Sequence, residues 1–224
     1  MIVLAFDTSL TSCSAGVWRD DTVVASESIV LPQGHAEALM PMIERVIGAA
    51  GIDYTVLDRI AVTVGPGSFT GLRVGIATAR GLAMAAQKPA FGVTTTEALA
   101  AAVPKSERHD SSQIILSIID SKRDDVFAQA FAMDGTPTTE ILNVGYENLP
   151  KTFTGRLIVV GDATARALPH LGPEAKASSA PPVCAIEQIA IIAARRVIDP
   201  RGPLPVYVRA PDVTMRPDGG ILRP

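Results

Sequence analysis

The chain has 224 residues, of which 47% are hydrophobic and 19% are charged, proportions typical of a globular protein and not of a disordered one. Its formal net charge is −3, with 20 Lys and Arg against 23 Asp and Glu, so the sequence does not predict a basic face that grips nucleic acid by itself. Two cysteines far apart, Cys13 and Cys184, exclude a disulfide framework and a cysteine-based metal cluster and favour a reducing cytoplasm.

The first half of the chain predicts the element order βββαβαβ. The apolar run at residues 2–6 is too short for a signal peptide or a membrane span, so we expect a cytoplasmic protein without membrane contact. Apolar runs and turn residues predict strands at 2–6, 13–18, 22–30, 59–64 and 90–93, with helices at 36–50 and 71–87. This order is that of a ribonuclease-H-like lobe.

The second half partly repeats the first. A strand at 114–119 ends at Asp120, much as the first strand ends at Asp7. Further strands are predicted at 126–132, 138–144 and 157–160, and a helix at 185–198. We therefore expect two lobes, residues 1–103 and 104–224, joined near 104–111. The proline-rich tail from Asp199, with Pro200, Pro203, Pro205, Pro211, Pro217 and Pro224, should be extended and irregular.

A glycine-rich turn precedes helix 71–87. Gly65 and Gly67 could bring backbone N–H groups to a phosphate at the helix N-terminus. The turn lacks the Gly-Lys-Ser/Thr of a P-loop, and its glycine spacing is not that of a dinucleotide-binding fingerprint. The spacing therefore favours a tight structural turn capped by Ser68 or Thr70 over a phosphate-binding loop.

Asp7 and Asp120 end corresponding strands, where an actin-like ATPase holds phosphate and magnesium. Neither residue is followed by the glycine that such ATPases carry in these hairpins, so a turn-forming role is favoured, while a carboxylate pair that binds metal stays open. The three histidines are scattered and predict no metal site. No Gly-x-Ser-x-Gly elbow indicates a serine hydrolase.

Helix 71–87 has only a narrow polar stripe, formed by Arg73, Arg80 and Gln87. Its glycines each cost about 1 kcal/mol relative to alanine, but they allow another backbone to approach. The helix either lies sandwiched within its own lobe or packs, together with helix 36–50, against a partner subunit. The candidate interface residues are Met40, Ile43, Ile47, Arg73, Ile76, Ala77, Arg80 and Met84.

Four segments together resemble one known family. They are residues 5–9 (Ala-Phe-Asp-Thr-Ser), 65–75 (Gly-Pro-Gly-Ser-Phe-Thr-Gly-Leu-Arg-Val-Gly), 92–95 (Gly-Val-Thr-Thr) and 205–209 (Pro-Val-Tyr-Val-Arg). The chain is similar to the TsaB (YeaZ) family, dimerisation subunits of the bacterial machinery that makes threonylcarbamoyladenosine in tRNA. The resemblance implies an α/β protein with the actin-like ATPase (ASKHA) fold of two ribonuclease-H-like lobes.

The same resemblance implies partners and a division of labour. The expected partners are a TsaD-like catalytic homologue and a TsaE-like P-loop ATPase, with tRNA bound only through the complex and a homodimer when the chain is alone. In the catalytic relative a His-x-x-x-His motif holds a metal, and those positions fall at Thr95 and Leu99 here. The relative also lays its equivalents of helices 36–50 and 71–87 against its partner, which favours an interface role for these helices.

We therefore expect a non-catalytic scaffold with no catalytic residue, no metal and no cofactor. The alternative is an actin-like-fold ATPase or kinase, or a glycoprotease-like hydrolase, acting alone. That alternative would bind ATP or ADP with magnesium through Asp7, Asp120, Gly65 and Gly67.

Overall fold

The structure is a computed structural model that describes residues 1–209. Its first five strands form one sheet in the order β3-β2-β1-β4-β5. These strands are β1 (Ile2–Asp7), β2 (Ser12–Arg19), β3 (Thr22–Val30), β4 (Arg59–Thr63) and β5 (Ala90–Val93). The first three form an antiparallel meander because short turns join them, whereas β4 and β5 run parallel to β1 after helical crossovers.

The last five strands form a second sheet in the order β10-β9-β6-β7-β8. They are β6 (Ile114–Asp120), β7 (Asp125–Phe131), β8 (Leu142–Gly145), β9 (Leu157–Val160) and β10 (Lys176–Ala177). Read from its meander end, this sheet has the same strand order as the first, with the same change from antiparallel to parallel pairing. The predicted internal repeat and the predicted pair of ribonuclease-H-like sheets are therefore present in the fold.

The helices are α1 (His35–Ala49), α2 (Phe69–Ala86), α3 (Thr95–Ala101), α4 (Leu149–Thr152), α5 (Thr164–Ala167) and α6 (Ile186–Arg195). Helix α3 was not predicted, although Thr94 and Glu97 form a capping box at its start. The predicted strand 138–144 is shorter and lies at 142–145. Pro41 lies in the interior of α1 and not in its first turn.

The side chains of β1 alternate between two apolar cores. Leu4 and Phe6 pack in the core that α1 and α2 form on one face of the first sheet. Val3 and Ala5 point to the opposite face, into a core that is shared with α3, α6 and the second sheet. This alternation with period two explains why β1 is buried on both faces.

Helix α6 packs on β1, β2 and β4, although it follows the second sheet in the chain. Arg59 of β4 donates hydrogen bonds to the carbonyl oxygens of Ala193 and Arg196 at 2.8 and 2.7 Å and so caps the C-terminal end of α6. The C-terminal part of the chain therefore returns to the first sheet. Residues 200–209 are irregular, as predicted, and Pro211, Pro217 and Pro224 lie outside the described residues.

Candidate functional site

A cleft of about 1030 Å³ lies between the two sheets. Its walls come from the loop after β1 (9–11), the segment that leads into α1 (32–37), the glycine-rich turn and start of α2 (66–72), the end of β6 with the loop that follows it (119–123) and the tail (206–209). The carboxyl ends of β1 and β6 thus face the same space, as the repeat predicts.

Asp7 is fully buried behind the cleft wall. Its Oδ1 accepts hydrogen bonds from the Ser9 backbone N–H (2.9 Å), the Ser9 Oγ (2.5 Å) and the Thr63 Oγ1 (2.5 Å). Its Oδ2 is buried with no hydrogen-bond partner among residues 1–209. Burial raises the pKa of this carboxyl, an effect that the bonds from Ser9 and Thr63 oppose. The turn-forming role predicted for Asp7 agrees with its bond to the Ser9 N–H.

Asp120 lies at the cleft beside Asp162 and Lys122. The Asp120 N–H donates to Asp162 Oδ1 at 2.8 Å, and the Lys122 ammonium lies 3.3 Å from Asp120 Oδ2 and 3.7 Å from Asp162 Oδ2. Burial raises the pKa of Asp162. A single lysine of this chain therefore pairs with both carboxylates, and its one positive charge offsets only part of their combined negative charge.

The glycine-rich turn packs against the β1–β2 hairpin. A Cβ built on Gly67 would lie 2.2 Å from the Ser9 carbonyl oxygen, and one on Gly71 would lie 2.0 Å from the Thr8 carbonyl oxygen. Ser68 caps α2 by accepting a hydrogen bond from the Gly71 N–H at 3.2 Å, so of the two predicted caps, Ser68 and Thr70, the structure has Ser68. Close backbone approach therefore accounts for glycine at 67 and 71, while phosphate binding by Gly65 and Gly67 stays a prediction.

The two positions that correspond to a metal-binding histidine pair are closed. Thr95 and Leu99 are both fully buried, near the start and in the middle of α3. Among the described residues, no group of three or more His, Cys, Asp or Glu side chains is arranged to hold a metal ion. Both cysteines are buried free thiols, and burial raises the pKa of Cys13 to about 11.

Part of the predicted partner interface is buried within this chain. Ile43, Ile47 and Ile76 lie in the core between α1, α2 and the first sheet, so their side chains are not offered at the surface of the single chain. Both helices are apolar on more than one side, which is why the sequence pattern did not distinguish the buried side from the exposed one. Contact of these helices with a partner stays a prediction. Met40, Ala77 and Met84 are exposed, with Met84 at 81%.

Arg73 and Arg80 are also exposed, but both contact the tail of their own chain. The Arg73 guanidinium stacks over the Phe69 ring at 3.8 Å and its Nε lies 3.4 Å from the Tyr207 Oη. Arg80 donates to the Pro203 carbonyl oxygen at 2.8 Å. The contact between the tail and α2 was not predicted from the sequence. An aromatic residue and an arginine within a proline-rich segment were the sequence features that could have indicated it.

No helix within residues 1–209 combines the length and apolar character needed to cross a bilayer.

A family model described as "TsaD: tRNA N6-adenosine threonylcarbamoyltransferase" matches residues 27–152. The Escherichia coli K12 "tRNA threonylcarbamoyladenosine biosynthesis protein TsaB" is 31% identical over 182 residues, covering 78% of this chain and 76% of that protein.

Solved structures give the same picture of the fold. YeaZ from Pseudomonas aeruginosa superposes with a TM-score of 0.77 at 26% identity, covering 92% of this chain and 99% of that one. The activator of 2-hydroxyisocaproyl-CoA dehydratase from Clostridium difficile, solved with bound ADPNP, superposes with a TM-score of 0.54 at 11% identity, covering 86% and 94%. This second likeness concerns the fold alone and confirms the predicted two-lobed, actin-like α/β class.

Proposed function

The chain belongs to the TsaB family and takes part in tRNA threonylcarbamoyladenosine biosynthesis, and on that premise we propose that it is a non-catalytic scaffold for the transferase subunit TsaD. In this proposal the outer face of α1 and α2 binds the TsaD-like partner. We call this surface the α1–α2 face and define it by its exposed residues Met40, Gly48, Ala77, Gly81 and Met84.

The observation that carries the proposal is the environment of two glycines inside these helices. A Cβ built on Gly48 or Gly81 meets no heavy atom of residues 1–209 within 4 Å, apart from its chain neighbours and the backbone of its own helix. In a helix interior such as that of α2 at Gly81, glycine costs about 1 kcal/mol relative to alanine, and no close approach within the described chain requires it there. Close approach of a helix from another subunit would supply the compensation, because glycine lets two helix backbones come together.

The apolar side chains between these glycines support the same surface. Met84 is 81% exposed and Met40 is 36% exposed, and methionine packs well against irregular surfaces because its side chain is flexible. Ala77 and Ala85 are exposed beside them and leave room for a partner. An exposed apolar surface of this composition is typical of a protein interface, because its contact with water is unfavourable.

The scaffold part of the proposal draws support from the cleft. Asp7 is fully buried, and Lys122 forms ion pairs with both Asp120 and Asp162. Thr95 and Leu99 are buried at the positions that match the histidines of the catalytic relative. None of these residues offers an activated nucleophile or an open metal position. The chemistry would then belong to the partner subunit.

The remaining expectations belong to the same proposal. In the absence of TsaD, two copies of this chain would cover their α1–α2 faces by pairing with each other, since a self-complementary patch favours a twofold dimer. A TsaE-like ATPase would join the assembled pair. With a net charge of −3, the chain would meet tRNA only through the complex.

The test is Met84→Glu, which places a carboxylate on the α1–α2 face at a side chain that is 81% exposed. We expect at least a tenfold loss of affinity for the TsaD-type partner, measured by calorimetry, because a buried unpaired charge costs more than 1.4 kcal/mol. Stability of the isolated chain should change by no more than about 0.5 kcal/mol, because the side chain is exposed there.

The matched control is Val30→Glu, which adds the same charge at a residue that is 76% exposed at the end of the edge strand β3 and does not belong to the α1–α2 face as defined. It should leave partner affinity unchanged. Equal affinities for Met84→Glu and the unaltered chain would refute the proposed surface.

A further inference from the structure

Residues 203–209, which we call the strap, run from the first sheet to the second across the mouth of the cleft. At its start, Arg80 of α2 donates to the Pro203 carbonyl oxygen at 2.8 Å. The Val206 N–H then donates to the Val64 carbonyl oxygen at 2.8 Å, directly after β4. Tyr207 packs on Phe69 with ring centroids 5.4 Å apart. All of these contacts hold the strap to the first sheet and α2.

The glycine-rich turn is shaped to accept the strap. Gly65 has a φ of 107°, and a Cβ built there would lie 2.9 Å from the Val206 carbonyl oxygen. A side chain at position 65 would therefore push the strap away from Val64. The turn that sequence analysis considered for phosphate contacts a segment of its own chain at this glycine.

The far end of the strap holds the second sheet. Arg209 Nη2 forms an ion pair with Asp125 Oδ2 at the start of β7, and its Nε and Nη2 lie 3.3 and 3.2 Å from the Asn143 Oδ1 of β8. The guanidinium also lies 5.7 Å from the centre of the Phe127 ring. Charge-assisted bonds of this kind are stronger than neutral ones, and the Arg209 and Asp125 side chains are only about a quarter exposed.

We propose that the strap is a mechanical tie that couples α2 to the β6–β7 hairpin and so sets the width of the cleft. Asp125 ends the hairpin that carries Lys122, and Val206 to Arg209 line the same cleft. Loosening either end of the strap would therefore remove one restraint on the hairpin at residues 120–126, which Asp162 and Arg166 also hold from the other side. The tie acts within the isolated chain and needs no partner.

A consequence for assembly rests on the proposed function. Arg73 and Arg80 contact the strap from the flank of α2, next to the α1–α2 face. A protein bound on that face would contact the same helix. It would therefore change how tightly the strap is held against α2. Partner binding and cleft width would then be linked, and the linkage would be reciprocal.

The test is amide hydrogen exchange of the full chain with Tyr207→Ala. Tyr207 binds the strap to α2 of the first lobe through the Phe69 ring and the Arg73 guanidinium. The tie predicts that exchange at residues 120–126, in the second sheet, nevertheless becomes about tenfold faster, the factor that corresponds to about 1.4 kcal/mol of local stability. Arg209→Ala should produce the same change from the other end.

Arg201→Ala is the matched control, because Arg201 lies in the same tail but pairs with Asp199 outside the strap. It should leave residues 120–126 unchanged, and exchange in β1 should stay slow in every variant, which verifies the fold. Faster exchange confined to residues 69–73 in Tyr207→Ala would overturn the coupling. This outcome would not affect the affinity test of the α1–α2 face, so the two proposals fail separately.

Discussion

At the residue scale, Asp7 shows how burial changes the meaning of a strand-end carboxylate. One carboxyl oxygen takes three hydrogen bonds and the other takes none from residues 1–209, so the group is held as a turn former with an unmatched buried atom. Such an atom costs free energy, most of all when the group is ionised. The hydrogen bonds of Asp7 therefore stabilise the hairpin, while the desolvation of its carboxyl group opposes part of that stabilisation.

The free energy of unfolding of Asp7→Asn should increase relative to that of the unaltered chain as the pH rises. Burial raises the pKa of Asp7 in the folded state above its unfolded value of about 3.9. Above that value the unfolded chain releases a proton that the folded chain keeps, so the stability of the unaltered protein falls until the pH passes the folded pKa. Asparagine does not titrate, and it keeps an oxygen acceptor for Ser9 and Thr63.

Urea unfolding of both proteins at pH 4, 6 and 8 measures this difference. The free energy of unfolding of the unaltered chain, minus that of Asp7→Asn, should decrease from the lowest pH to the highest. A difference that stays constant, or that increases with pH, would show that the folded pKa of Asp7 is not raised.

At the element scale, two glycines of α2 lie in different surroundings, one against the first sheet and one in open space. A Cβ on Gly75 would lie 2.5 Å from the Thr8 Oγ1 and 3.1 Å from the Val62 Cγ2, whereas one on Gly81 would meet nothing within 4 Å. Gly75 therefore allows the helix to approach its own sheet. Gly81 has no such role within residues 1–209.

The same substitution should therefore have opposite effects at these two positions. Gly75→Ala should destabilise the isolated chain by about 1–3 kcal/mol, because the added methyl group overpacks the contact with Thr8. Gly81→Ala should stabilise it by about 0.5–1 kcal/mol, because alanine is the better helix former. Urea unfolding of the two variants side by side measures both values, and a shift of the same sign in both would contradict this account of α2.

At the scale of the whole molecule, the C-terminal end of α6 is tied to the first sheet by an arginine cluster. Arg196 forms two bonds with Glu97, at 2.6 and 2.7 Å, and also donates to the Gly92 carbonyl oxygen. Arg59 bonds the last carbonyl oxygens of α6 and lies 4.5 Å from the centre of the Phe91 ring. The cluster thus closes the chain back onto the sheet where it began.

Arg196→Ala should lower the free energy of unfolding by about 1–2 kcal/mol. This value is below the 3–5 kcal/mol of a fully buried pair because the Arg196 side chain is 34% exposed. Its neighbour Arg195 is exposed outside this cluster, so Arg195→Ala is the control and should change stability by less than about 0.5 kcal/mol. Equal urea midpoints for the two variants would show that the cluster contributes little to the stability of the molecule.

Periodicity located most elements but could not tell which apolar face of a helix meets the sheet of its own lobe. Ile43, Ile47 and Ile76 fit a partner-facing stripe on a helical wheel, yet they are buried against the first sheet. Met84 lay on the same predicted side and is exposed. The period of a sequence fixes angles around a helix axis, whereas the rotation of that axis against its neighbours depends on packing.

The sequence by itself determined most of the strands, helices α1, α2 and α6, the internal repeat and the family, because these depend on local pattern or on motifs read directly. The presence of α3 and the choice of Ser68 over Thr70 as the cap of α2 came from the structure. Only the tertiary structure decided that Asp7 is sealed, that Lys122 lies between two aspartates and that the strap joins the sheets. Each of those features depends on a contact between two elements that are far apart in the sequence. The residues in contact lie between about 40 and 145 positions apart. Burial and contact over such separations follow from how the two sheets pack, which no local pattern records.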